Sequence, residues 1–330
     1  MRQALSRAVR RLGMGLLLLT AGALAGVPAR AADTDFNSWI AGVRRDAIGQ
    51  GMRPQSVDLA LRGVHPIDRV LELDRRQPES TLTFEQYIER VVSPQRIAAG
   101  RDKLAENRPL LDDIGRRYGV QPRYIVSLWG IETDFGRVTG DFPIISALAT
   151  LAYDGRRSAF FRRELIAAIK IVDQGYIRPE EMTGSWAGAM GQSQFMPSSY
   201  LQYAVSYRGD GRRDIWHRRE DVFASIANYL SQLGWKGDET WGRRVQLPAN
   251  FDTSLAGKEI RKPIAEWQRL GVRSLGGGDL PTKVREASLI LPSGPQGSAL
   301  LIYDNFRAIL RWNNSSYFAA AVGYLADALE

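Results

Sequence analysis

The chain contains no cysteine and only two histidines, His65 and His217, among its 330 residues. Without thiols there is no disulfide to brace the fold, no thiolate metal site and no cysteine for an N-terminal lipid. Two histidines leave few members for a zinc cluster or a serine–histidine triad. Any chemistry must therefore rest mainly on carboxylates and hydroxyls. Internal repeats, low-complexity runs and phosphate-cradling glycine motifs are also missing. Long apolar runs are scarce: one extends from about Leu12 to Val27, and no second follows.

That single run has a basic flank before it and Ala29-Arg30-Ala31 after it, the form of a secretory signal peptide with a small-residue cleavage site. An uncleaved anchor is the competing reading, although the run is short for crossing a bilayer. Removing residues 1–31 takes away five arginines and no acid, so the formal charge falls from +8 to +3. Most of the basic balance thus belongs to targeting, and a nucleic-acid partner is not expected. The local cluster Arg156, Arg157, Arg162 and Arg163 reads as a solvated helix face.

At this length the chain can bury a sizeable core. Helical stripes run through Phe36, Trp39, Ile40 and Val43, and again through Phe84, Tyr87, Ile88 and Val91. One longer helix is predicted from Ser93-Pro94 to Gly119. If Pro122 opens the next, Glu132 falls three, four and seven residues after Trp129, Leu128 and Ile125, on their apolar face. An acid in such a place is partly desolvated, which raises its pKa and suits a proton donor near neutral pH. The plain alternative is an acid at a helix end, reaching water or pairing with Arg123 or Arg137.

Further on, Phe161, Leu165, Ile169 and Val172 mark a helix ending near Gly175. GSWAGAMGQSQFMPSSY, Gly184 to Tyr200, breaks the helical rhythm with glycines, glutamines and serines. Such a loop brings short polar groups close to a partner, and Trp186, Phe195 and Tyr200 offer faces for a sugar. SYRGDGRRDIWHRRED, Ser206 to Asp221, has the GDG turn of an EF-hand calcium loop, but Ser206 and Arg208 hold the first two ligand positions. A helix through Val222, Ile226, Tyr229 and Leu233 follows. From Val245 to Tyr303 short extended segments (RRVQLP, ASLILP, SALLIY) surround the helix PIAEWQRLG and the turn LGGGDLP. Phe306 to Leu329 is helical again, interrupted at Trp312, Asn313 and Asn314.

LDRRQPESTLTF (Leu73 to Phe84), GIETDFG (Gly130 to Gly136), the GSWAGAMGQSQFMPSSY loop and DIW followed by SIANYL together resemble the membrane-bound lytic murein transglycosylase B family. The resemblance covers nearly the whole chain after residue 35. It implies that Glu132 is the catalytic acid, and that Ser185, Gln194, Tyr229 and Asn313 face the substrate. Trp312 stands where many relatives have tyrosine, and the resemblance implies only a stacking role for it. Two departures stand out. The calcium loop of the family begins with an acid where this chain has Ser206, and this chain has one extra residue before Asp221. Only Asp210 and Asp221 remain as weak candidate ligands, so no cofactor is expected, with calcium in this degenerate loop as the alternative. Gln192-Ser193 also replaces the more usual tyrosine-glycine.

The implied fold is mainly α, a lysozyme-like helical catalytic core with an N-terminal helical region and a small β-containing insertion. The expected segments are the signal peptide 1–31, the helical region 32–119, the core 120–244, the insertion 245–304 and a C-terminal helical segment 305–330 packing back on the core. The implied activity is lytic cleavage of peptidoglycan glycan strands in the periplasm, alongside other cell-wall enzymes, with no membrane span after signal removal. One glutamate acting as acid and then base would leave 1,6-anhydro ends. A muramidase-type hydrolase, which needs a second carboxylate, and a non-catalytic peptidoglycan-binding scaffold are the alternatives.

Overall fold

The computed structural model describes residues 36–76 and 82–330, so the proposed signal peptide lies outside the described residues. The chain is dominated by helices, with two small antiparallel sheets. The described residues group into two compact units, one of 36–76 with 132–226 and one of 82–131 with 227–330. Among the described residues, two of the boundaries between the units fall inside helices, Pro122–Thr133 and Arg219–Gln232.

In the first unit the helices Phe36–Gly49, Pro54–Leu61 and Asp68–Arg75 precede the pair Ile144–Tyr153 and Ser158–Asp173. Ile144–Tyr153 has no polar face: every residue from Ile144 to Ala152 is buried, as expected of a helix enclosed on all sides. Its two hydroxyls do not break that pattern. The Thr150 hydroxyl donates to the Ser146 carbonyl (2.7 Å) and accepts from the Ile67 N–H (3.0 Å). Nearby, Asp74 is 2 % exposed and takes both Arg156 (2.7 Å) and Arg157 (3.2 Å). These two arginines are therefore anchors for a buried carboxylate, whereas the cluster reads in sequence as a solvated face; the distant Asp74 carries no periodic signal.

The second unit holds the five-stranded sheet, in the order Arg261–Pro263, Glu286–Ile290, Ala299–Ile302, Gly242–Gln246, Arg273–Ser274. Alternation along its strands sends Ala287, Leu289, Ala299 and Leu301 into a core with Trp267 of the helix Ile264–Arg269. Leu300 and Ile302 are equally buried on the opposite face. The helices Asp304–Trp312 and Ser316–Ala328 complete the chain. Gly323 lets the latter approach Trp241 closely, since a Cβ there would come within 2.2 Å of the indole.

The long helix expected from Ser93 to Gly119 is in fact two, Pro94–Glu106 and Arg108–Tyr118. Ser93 caps the start by accepting from the Arg96 N–H (3.3 Å), and Gly119 closes the end in the left-handed conformation. The break falls at Asn107, because Pro109 lacks the N–H a continuous helix would use and its ring clashes with the preceding turn. Asn107 covers the gap by donating from its side chain to the Lys103 carbonyl (2.8 Å).

Candidate active site

Pro122 does open a helix, and it ends at Thr133. From Tyr124 to Trp129 every side chain is buried, so the helix is enclosed all round rather than along one stripe. Glu132 is its last residue but one, 9 % exposed. The helix stops in an abrupt way. Asp134 (φ 51°), Phe135 (φ 59°) and Gly136 (φ 80°) are all left-handed, a conformation costing roughly 1 kcal/mol or more for each residue with a side chain.

Thr133 holds that strained end in place. Its hydroxyl accepts from the Gly136 N–H (3.0 Å) and donates to the Gln192 carbonyl (2.8 Å), tying the helix terminus to the glycine-rich loop. Asp134 turns to Arg137 and forms an ion pair on the surface. Asp141 is exposed.

The loop from Gly184 to Met196 folds back on itself through short bridges instead of forming a helix. Thr183–Gly184 pairs antiparallel with Phe142–Pro143, and Met190 bridges both Gly184 and Phe195. Gly184 has no room for a side chain: a Cβ would lie 2.0 Å from the Ala189 carbonyl oxygen. Ser185, half-buried, closes the turn by accepting from the Ala189 N–H at its Oγ (3.0 Å). That bond uses an oxygen lone pair and leaves the Ser185 hydroxyl hydrogen to be donated outward. Gln194, itself left-handed at φ 50°, donates from Nε2 to the carbonyls of Thr139 (3.0 Å) and Gly191 (2.9 Å). Its Oε1 is then the atom left to face a ligand. Three of the four non-glycine residues with positive φ among the described residues thus lie in these two segments.

Gln192, at the position where the family pattern has tyrosine, is a junction. Besides accepting from Thr133, it donates from its backbone N–H to the Ile215 carbonyl (2.8 Å) and from Nε2 to the Trp216 carbonyl (2.8 Å). Its role could not be found from periodicity, because its partners lie 59 and 24 residues away. The Trp216 indole N–H in turn donates to the Thr183 carbonyl (3.1 Å).

The loop Ser206–Asp221 is built around two acids of opposite character. Asp221 is fully buried and accepts from the backbone N–H groups of Tyr207 (2.8 Å) and Asp214 (3.1 Å). Burial pushes its carboxyl above the usual carboxylate range despite those bonds. Asp210 is exposed and held well below that range, first by Arg218 (2.7 Å), then by the Ser206 hydroxyl (2.7 Å) and the Arg212 N–H (3.0 Å). Arg218 also lies 3.8 Å from Asp221, and Arg208 pairs with Glu220 (2.8 Å).

The remaining candidates are in the second unit. Tyr229, near the end of the helix Arg219–Gln232, stacks on Trp312, the last residue of the helix Asp304–Trp312, with ring centroids 4.7 Å apart and planes at 25°. Asn313 follows in extended backbone and is 6 % exposed. The interruption read at Trp312 to Asn314 is therefore a real break, with Ser315 capping the final helix.

Comparison with known proteins places these elements. The transglycosylase SLT domain family matches residues 35–327. The chain is 32 % identical over 296 residues to the membrane-bound lytic murein transglycosylase B of Escherichia coli K12, covering 84 % of this chain and 79 % of that protein. It superposes on SltB3 of Pseudomonas aeruginosa, solved with NAG-anhNAM-pentapeptide, with a TM-score of 0.87 and 46 % identity, over 90 % of this chain and 80 % of the other. The E. coli lytic transglycosylase Slt35, solved with calcium, gives a TM-score of 0.75 at 28 % identity, over 90 % and 93 % of the two chains. The mainly helical, lysozyme-like fold expected from the sequence is the fold observed. The chain is an enzyme and belongs to the lytic murein transglycosylases.

Proposed function

We propose that the protein cuts peptidoglycan glycan strands between N-acetylmuramic acid and N-acetylglucosamine without water, using Glu132 as the one catalytic carboxylate. The observation that carries this reading is the contrast among three neighbouring acids: Glu132 is almost wholly buried, Asp134 is paired with Arg137, and Asp141 is exposed. A carboxyl shielded from water can pass its proton directly to a bound glycosidic oxygen.

In the first step the Glu132 carboxyl gives its proton to the glycosidic oxygen, and the bond from that oxygen to muramoyl C1 breaks. N-acetylglucosamine then leaves with a free 4-hydroxyl. In the second, the Glu132 carboxylate takes the proton of the muramoyl C6 hydroxyl while that oxygen bonds to C1. The enzyme is returned with its proton, and the product carries a 1,6-anhydro end. Ser185 would donate its hydroxyl hydrogen to the substrate and Gln194 would accept at Oε1; Tyr229, Trp312 and Asn313 are the proposed sugar contacts of the second unit. The relative solved with an anhydro-sugar peptide supports this substrate class. We place the enzyme in the periplasm, where its substrate lies.

Digestion of isolated peptidoglycan followed by mass spectrometry tests the reading. Anhydro ends are expected, lighter by one water than the reducing ends a hydrolase would leave. Glu132→Gln keeps size and shape but moves no proton, so release of anhydromuropeptides should fall by at least about a hundredfold while glycan binding survives. Release at near the parent rate would end the assignment.

A further inference from the structure

We propose that Arg218 takes the place of a bound cation in the loop Ser206–Asp221, and that the loop so closed is a positioning element for Glu132. The inference rests on the assignment of Glu132 as the acid. An EF-hand type loop folds because a divalent cation draws carboxylates and carbonyls together. Here one guanidinium nitrogen lies 2.7 Å from Asp210 and 3.8 Å from Asp221, so a fixed positive charge from the chain already joins the two acids that remain. Ser206, at the first ligand position, turns its hydroxyl to Asp210, and Arg208, at the second, pairs with Glu220. A calcium ion would have to displace Arg218 and sit beside a second arginine. The donor set does not fit it.

From Asp221, which Arg218 meets as an ion pair at 3.8 Å, the consequence reaches the active site through hydrogen bonds. Asp221 fixes Asp214 by accepting its N–H, and the Asp214 carboxylate accepts from the N–H groups of Trp216 (3.0 Å) and His217 (2.9 Å). The carbonyls of Ile215 and Trp216 then face Gln192, which takes them with its backbone N–H and Nε2. The Gln192 carbonyl receives the hydroxyl of Thr133, the residue after Glu132. Arg218 and Gln192 are thus positioning residues. The amide at 192 lets this chain make the bond to Trp216, so the two departures from the family pattern, at the loop and at Gln192, lie on one relay.

The parent protein should melt at the same temperature in millimolar calcium and in chelator; a clear rise with calcium would overturn the proposal. Arg218→Ala should lower turnover by about tenfold or more, as a small misplacement of a catalytic group does. Glycan affinity, compared between Glu132→Gln and the double variant Glu132→Gln/Arg218→Ala, should stay within about twofold, separating kcat from binding. Millimolar guanidinium should restore much of the lost turnover, and Arg218→Lys should restore part of it. Parent-level turnover in Arg218→Ala, or a loss that guanidinium does not relieve, would refute the role. Gln192→Met keeps chain length and removes the Nε2 bond to Trp216 while leaving the backbone bonds at 192 in place. It should show the same kcat-selective loss with no response to guanidinium, and parent-level turnover in this variant would break the relay even if Arg218→Ala failed to fold. An inactive Glu132→Gln beside a fully active Arg218→Ala would sink only this inference, whereas an active Glu132→Gln would sink the acid itself.

Discussion

Glu132, Asp134 and Asp141 lie within ten residues of one another, and their surroundings assign them different work. Asp134→Asn loses a surface ion pair worth at most about 1 kcal/mol, and Asp141→Asn changes an exposed group, so each should reduce turnover far less than Glu132→Gln. A hydrolase would need one of them, and a steep loss in either variant would favour that chemistry over the single-carboxylate route. Ser185→Ala should fall between, because it removes both the proposed donor to the sugar and the acceptor that closes the turn at Ala189. Ser193 makes the opposite kind of prediction. Its hydroxyl is buried with no hydrogen-bond partner among the described residues, at a position where the family pattern has glycine. Ser193→Ala should be neutral or stabilising by up to about 1 kcal/mol, read as an unchanged or higher melting temperature; a clear drop would show that the hydroxyl has a partner.

At the scale of elements, the starts and stops of helices are legible wherever one residue supplies the physics, as Ser93 and Gly119 show. The break at Asn107 was equally written, in Pro109, but the apolar period runs across it and masks it. The strands Gly242–Gln246, Glu286–Ile290 and Ala299–Ile302 follow from short extended runs bounded by turn residues, while Arg261–Pro263 and Arg273–Ser274 are too short to stand out. What could not be read is how elements distant in sequence satisfy each other's polar groups. Asp327 is an example: it lies on the last helix and accepts from the Trp241 indole N–H (2.9 Å). Burial pushes its carboxyl up, more than that bond and Arg123 pull it down. Since the folded state then holds the proton more tightly than the unfolded chain, stability should decline as pH rises from the ordinary carboxylate pKa of about 3.9 through the raised one. Asp327→Asn keeps an acceptor for Trp241 and removes the titration. Denaturant midpoints of the variant should therefore gain on those of the parent across that interval, and parallel pH profiles would show that the buried carboxyl is not responsible.

For the whole molecule, scarcity proved as informative as any motif. A chain with no thiol and two histidines is left with carboxylates, and one of these sits on an apolar helix whose side chains are all buried from Tyr124 to Trp129. The position of Glu132 was legible because helical spacing is local. The support beneath it was not, because Thr133, Gln192 and Trp216 meet only once the chain has folded. Charge carries the remaining argument at this scale. Five arginines and the only long apolar run lie in residues 1–31, and no helix of the described residues is long and apolar enough to cross a membrane. We propose that this segment is an address that is read and removed. In a cell fractionated after export, the protein should be recovered with the periplasmic contents, and sequencing of its N-terminus should begin near Ala32. Protein held in the membrane fraction with residues 1–31 intact would show instead that the apolar run is an anchor, and that the enzyme meets the glycan from a fixed distance.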